Sequence, residues 1–149
     1  MSSTVSKSAL TVIIDESIKL NNNEYNSRNT TKINNINEIS QRIVSIPTSQ
    51  VTLLQLSSSV GPGTYVTGDM QYLRMTNLDN ENWIRLSFMS GSANRFDVKL
   101  GALQSYIVTN ASMSGSAKGN AFDSFSDFDT LKADANTSSC DLELFFASK

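Results

Sequence analysis

Between Arg95 and Leu100 the chain reads Arg-Phe-Asp-Val-Lys-Leu, apolar at every second position and charged at every position between. A helix would scatter those charges around its axis. An extended strand instead sends Phe96, Val98 and Leu100 to one face and the charges to the other. The same character extends backwards. Gln71–Asn77 and Asn82–Met89 are apolar-rich runs joined by Leu78-Asp79-Asn80-Glu81, and a short polar connector with Gly91 precedes Arg95. Ser105–Val108 follows Gly101. Strands with such short connections read as an antiparallel meander with one buried face and one wet face. Alternation also sets register. Phe96, Val98 and Leu100 are expected to share a core with Ile84, Leu86 and Phe88, because a one-residue slip would expose every apolar group.

The rest of the chain has the same grain. Leu10–Ile14 is a β-branched run, Ser17–Leu20 continues it, and Asn21-Asn22-Asn23 supplies a turn because Asn tolerates the left-handed region. Asn29–Ile33 reads as the returning strand of a first hairpin, and Asn34–Glu38 as a break. Ile39, Ile43 and Ile46 would suit a helical face, but Ile43-Val44 and the nearby Pro47 favour a strand over Ile39–Ile46. Val51–Leu56 is another strand, and Ser57–Gly63 is a loop. Asp127–Asp134 and Cys140–Ala147 look like a terminal hairpin, with Cys140, Leu142, Leu144 and Phe146 on one face. Thr109–Ala121 reads as a surface loop, and the spacing of Phe122, Phe125 and Phe128 suits one helical turn. Roughly eight to ten short strands at this spacing predict an all-β fold, an antiparallel β-sandwich of jelly-roll or Ig-like type with at most one short helix. Residues 1–149 are expected to form one domain, with Met1–Ala9 as an extended N-terminal arm.

Composition narrows the function classes. Charged residues make up 17% of the chain, against about 25% typically. Ser, Thr and Asn take their place, which leaves little repulsion between neighbouring copies. A net charge of −2 and scattered Lys and Arg argue against a nucleic-acid partner, which needs a basic stripe. No apolar run approaches the roughly 20 residues that span a bilayer, and Met1–Lys7 lacks the apolar core of a secretory signal. Neither nucleic acid nor membrane is expected as a partner.

The search for chemistry is mostly a record of missing parts. The chain contains no histidine, which removes the usual general base, the commonest zinc ligand and every Ser-His or Cys-His pair. The single Cys140 excludes an internal disulfide, and its alternation with Leu142 and Leu144 reads as a buried thiol. Gly61-Pro62-Gly63 lacks the Lys-Ser/Thr of a phosphate loop. Asp69, Asp79, Asp97, Asp127 and Asp129 offer carboxylates for a hydrolase, but no spacing singles out a pair. Asp123, Asp127 and Asp129 come closest to a calcium site, without the glycine and glutamate of an EF-hand loop. Asn29-Thr30-Thr31, Asn110-Ala111-Ser112 and Asn136-Thr137-Ser138 match glycosylation sequons, as chance allows in this composition. Trp83 and Tyr72 have the ring faces to stack on a sugar, although cross-strand packing is the simpler account. No catalytic, cofactor-binding or metal-binding residue is assigned, and a non-enzyme is expected.

The run Gln71-Tyr72-Leu73-Arg74-Met75-Thr76-Asn77-Leu78-Asp79, with Trp83–Phe88 and Phe96-Asp97-Val98-Lys99-Leu100 after it, resembles a pattern in small β-rich virion proteins of tailed bacteriophages. The closing Leu131–Ala135 and Leu142–Ala147 segments are similar to their usual ending. Where that pattern often carries glycine-glutamate, this chain has Gly101-Ala102-Leu103-Gln104. The resemblance covers about the second half of the chain and brings no catalytic residues. It implies a virion component, foremost a capsid decoration or cement protein, otherwise a neck or tail component such as an adaptor. The implied partners are other virion proteins and copies of the chain itself. A carbohydrate-binding, host-recognition sandwich using Trp83 or Tyr72 is the competing expectation.

Overall fold

Strands with one apolar face need a second sheet to cover it, and this chain supplies two. The computed structural model describes residues 5–109 and 128–149. Its strands are β1 (Ser8–Leu20), β2 (Asn23–Ile36), β3 (Glu38–Ile46), β4 (Val51–Ser57), β5 (Tyr65–Val66), β6 (Met70–Asn77), β7 (Ile84–Ser90), β8 (Ala93–Leu100), β9 (Ser105–Thr109), β10 (Thr130–Ala135) and β11 (Cys140–Ser148). A 3₁₀ turn at Thr67–Asp69 is the one helical element among the described residues. One sheet runs β5-β4-β10-β7-β8, the second runs β3-β11-β6-β9, and β1-β2 form a separate two-stranded ribbon.

The pairing has a simple logic. β3 pairs with β11, β4 with β10, β6 with β9 and β7 with β8, all antiparallel. The first half of the sandwich pairs with the second half in reverse order, like one long hairpin rolled up, and successive pairs go to opposite sheets. This is a jelly roll. The all-β sandwich expected from the sequence is what forms, and the Ig-like alternative gives way. The expected register is also present: Ile84 faces Leu100, Leu86 faces Val98 and Phe88 faces Phe96.

Two expectations need correction. The segment Gln71–Val108 is not a meander, because only β7 and β8 pair in sequence while β6 and β9 pair with each other in the opposite sheet. Nor do β10 and β11 form a hairpin: they lie in different sheets. Alternation reports which face a residue points to, not which strand lies beside it. Splitting these strands between two sheets lets their apolar faces cover one another. Asn77, fully buried at the end of β6, ties the crossovers together. Its Nδ2 donates to the carbonyls of Asn82, Leu100 and Gly101, and its Oδ1 accepts the Asp79 N–H.

Between the sheets lies one core that includes Ile46, Leu54, Leu73, Met75, Ile84, Leu86, Leu142, Leu144 and Phe146. Cys140 is buried with them, on the face read from its alternation. Phe128 is also buried, whereas Phe122, Phe125 and residues 110–121 of the expected loop lie outside the described residues. Residues 39–46 are strand, so the helical reading of the isoleucine spacing fails. Ile46 points into the core, and Ile39 and Ile43 lie on the outer face of an edge strand.

Candidate functional site

The first hairpin forms as expected but runs longer, with 13 and 14 residues in its strands. Asn21 and Asn22 close it with positive φ of 48° and 64°. Two such residues make the turn whose twist matches the strands. Ser8 and Ala9, assigned to the arm, already belong to β1, and Met1–Thr4 lie outside the described residues. The Leu10–Ile14 run pairs with Asn29–Ile33 of its own chain.

The ribbon rests its base on the outer face of the four-stranded sheet. Ile33, Ile36, Tyr72 and Ala147 are buried there, with Leu10, Val12 and Phe145 packed around them. Tyr72 meets Phe145 edge-on at 5.7 Å between ring centroids. Burial pushes the Tyr72 hydroxyl above the usual tyrosine range, against a smaller opposing effect of Arg74. Beside this contact, Arg74 Nη1 donates to Glu143 Oε2 at 2.8 Å, and Gln41 Nε2 donates to Glu143 Oε1 at 2.9 Å. Those bonds hold the Glu143 carboxyl below the ordinary range.

Past Val12 the ribbon leaves the sheet, and its apolar side chains become exposed. Ile14, Ile18, Leu20 and Tyr25 are 42%, 58%, 56% and 56% exposed. On the sheet, Ile39, Ile43 and Ile107 are exposed too. A groove of about 290 Å³ lies between Leu10–Ile14 and a floor of Tyr72, Arg74, Ile107 and Phe145. The sequence carried a signal for this surface that the strand-by-strand reading missed. Leu10, Val12, Ile14, Ile18 and Leu20 share one face with Glu16, on a strand longer than any in the sandwich.

The residues singled out for chemistry are spread over the molecule. Asp69 lies in the 3₁₀ turn, and Asp79 caps the crossover after β6 through the N–H groups of Glu81 and Asn82. Those two bonds lower its pKa. Asp97 projects from the exposed face of β8. Asp129 Oδ2 accepts the Gly91 N–H at 2.6 Å. Asp123 and Asp127 lie outside the described residues. No group of three His, Cys, Asp or Glu side chains that could hold a metal is found among the described residues. Burial comes first among the causes that raise the Cys140 thiol pKa. Of the two aromatic candidates, Tyr72 is buried, and Trp83 is half-buried with Lys99 Nζ 5.2 Å from its ring centroid. A second cavity, of about 550 Å³, opens between β3, β4 and the Val60–Tyr65 loop, where the exposed Arg42 donates to the Leu53 carbonyl.

No helix among the described residues is long and apolar enough to cross a membrane. No protein-family model matches the chain, and no curated protein matches it. It is similar to a chain of a solved structure described as "Bacillus endospore appendages form a novel family of disulfide-linked pili". That likeness is 8% identical, covers 100% of this chain and 96% of the other, and has a TM-score of 0.40. A likeness this slight carries no argument about fold or function.

Proposed function

We propose that this chain is a non-enzymatic structural protein of a tailed-phage virion, acting through protein–protein contacts as a capsid decoration or cement subunit. The observation that carries the reading is the ribbon, which extends an apolar face past the sandwich it is anchored on. A group of large exposed apolar side chains on one face, here interrupted by Glu16 and Ser27, marks an interaction site more often than it marks a free surface. The low charge of the chain suits close packing with neighbours. Jelly rolls serve capsids and lectins alike, so the fold by itself does not choose between them. The buried Tyr72, and Lys99 beside the Trp83 ring, weigh against the sugar-binding reading. A neck or tail position would use the same kind of contact.

The test is to purify particles bearing the chain and locate it in their density map. Ordered copies on the shell, with the ribbon against a neighbouring subunit, are the expected result. Copies confined to the neck or tail would move the role there, and a chain that never copurifies with particles would end the virion reading.

A further inference from the structure

We propose that copies of this chain dock head to tail, the projecting end of the β1–β2 ribbon of one copy entering the groove at the ribbon base of the next. The proposal rests on the structural-subunit reading and names its partner as a second copy of this chain.

The ribbon supplies the inserting part. Residues paired across an antiparallel ribbon point to the same side, so Leu10 with Ile33, Val12 with Thr31, Ile14 with Asn29 and Ile18 with Tyr25 share a face. The base of that face is already seated on the sheet through Leu10, Val12 and Ile33. The same face continues to the tip with Ile14, Ile18, Leu20 and Tyr25 exposed, interrupted by Glu16 opposite Ser27. From Ile14 to Leu20 the overhang is about 20 Å long at the usual rise per residue.

The sheet supplies the receiving part. The surface that seats the ribbon base does not stop where the base ends. It runs on to the groove over Arg74 and Ile107, and to Ile39 and Ile43. Both sides of an existing contact therefore continue past each other, uncovered. A ribbon cannot fold its tip back into a groove at its own base, so the occupant comes from another molecule. A groove of about 290 Å³ has room for a few large side chains.

A second copy fits this surface on three counts. Its ribbon face is the one this sheet already accepts. The charges are compatible: the inserting face carries Glu16, Asp15 and Arg28 pair on the opposite face of the ribbon, and the sheet carries Arg74 beside Glu143, so no field of one sign opposes the approach. Only about half of the roughly 16 residues from Ile14 to Asn29 lie on the inserting face, fewer than the roughly 20 per side of a standard interface, which suits a weak, concentration-dependent contact between copies. Because insert and groove are different surfaces, the contact is heterologous and joins copies into rings or filaments.

The test uses the full chain and two sets of variants, each checked for an unchanged melting transition. Ile18→Asp with Leu20→Asp blocks the insert. Ile107→Asp, or the milder Ile107→Ser should the first perturb folding, blocks the receiving groove. By sedimentation, the wild type is expected to associate as concentration rises towards about 1 mM, and each variant alone to lose at least tenfold in association. An equimolar mixture of the two variants is expected to form dimers and nothing larger, since it holds one good insert and one good groove per pair. A wild type that stays monomeric throughout, association that survives both substitutions, or a mixture that stays monomeric would each overturn the proposal. If a monomeric chain still binds particles through the ribbon, head-to-tail docking fails while the structural reading stands. If copies associate but never copurify with particles, the reverse holds.

Discussion

Phe88 and Phe96 face each other across β7 and β8, with ring centroids 4.6 Å apart and planes 15° from parallel. Phe128 meets both edge-on, at 5.5 and 5.4 Å, just before β10 begins. This cluster joins β7, β8 and the lead-in to β10 in the core. Replacing Phe88 with Ala is expected to cost about 3–5 kcal/mol. Replacing the half-buried Phe96 should cost less. Their double-mutant cycle should show about 0.5–1.5 kcal/mol of coupling, measured by urea unfolding. Strict additivity would mean that the stacking contributes nothing beyond area.

Asn77 makes the opposite kind of contribution, polar and fully buried. Asn77→Ala leaves the Asp79 N–H without its side-chain acceptor and three carbonyls without their amide donor. The expected loss is about 2–4 kcal/mol. Asn77→Asp should be worse at neutral pH, because a carboxylate oxygen would then face those carbonyls, and it should partly recover when acidified. Equal stability of Asn77→Asp and wild type at pH 7 would contradict the hydrogen-bond assignment.

Acid should weaken the fold through Glu143 and Asp79. Both carboxyls titrate below their ordinary range in the folded chain, Glu143 through Arg74 and Gln41, and Asp79 through the N–H groups of Asn82 and Glu81. A depressed folded pKa contributes stability that is present above the unfolded value and lost as pH falls through the folded one. The melting temperature is therefore expected to hold near neutrality and to drop below about pH 4. Glu143→Gln should flatten part of that drop. For a pair this near the surface, the effect should stay below about 1 kcal/mol.

Strand positions and faces were legible because alternation is local. Cys140, Leu142, Leu144 and Phe146 declared the core side of β11, and Phe96, Val98 and Leu100 that of β8. Strand neighbours were not legible, because nothing in Thr76-Asn77-Leu78 says that the chain crosses to the other sheet there. Asn77 holds that crossover through partners up to 24 residues away, which local alternation does not report. The interaction surface was half legible. The apolar run of β1 was visible, but its exposure depends on how little of the ribbon the sheet can cover. The isoleucines of β3 also suited a helical face, and the strand favoured by Ile43-Val44 and Pro47 is the one that pairs with β11.

The tip of the ribbon should be governed by its turn and not by the core. Asn21 and Asn22 both adopt positive φ, a conformation that Asn and Gly tolerate and β-branched residues resist. Asn22→Gly should therefore preserve or tighten the tip, whereas Asn22→Val should strain it by about 1 kcal/mol or more. Beyond Val12 the ribbon has little burial to oppose that strain, since the exposed ion pair of Asp15 and Arg28 adds under about 1 kcal/mol. Stability of this kind is local, so the melting temperature of the sandwich should hardly move. Hydrogen exchange from Ile18 to Tyr25 should instead rise in Asn22→Val and stay unchanged or fall in Asn22→Gly. Because Ile18, Leu20 and Tyr25 sit within that stretch, association between copies should weaken in step with the exchange. A Val variant that exchanges faster at the tip yet associates as tightly as wild type would show that the contact does not need an ordered ribbon.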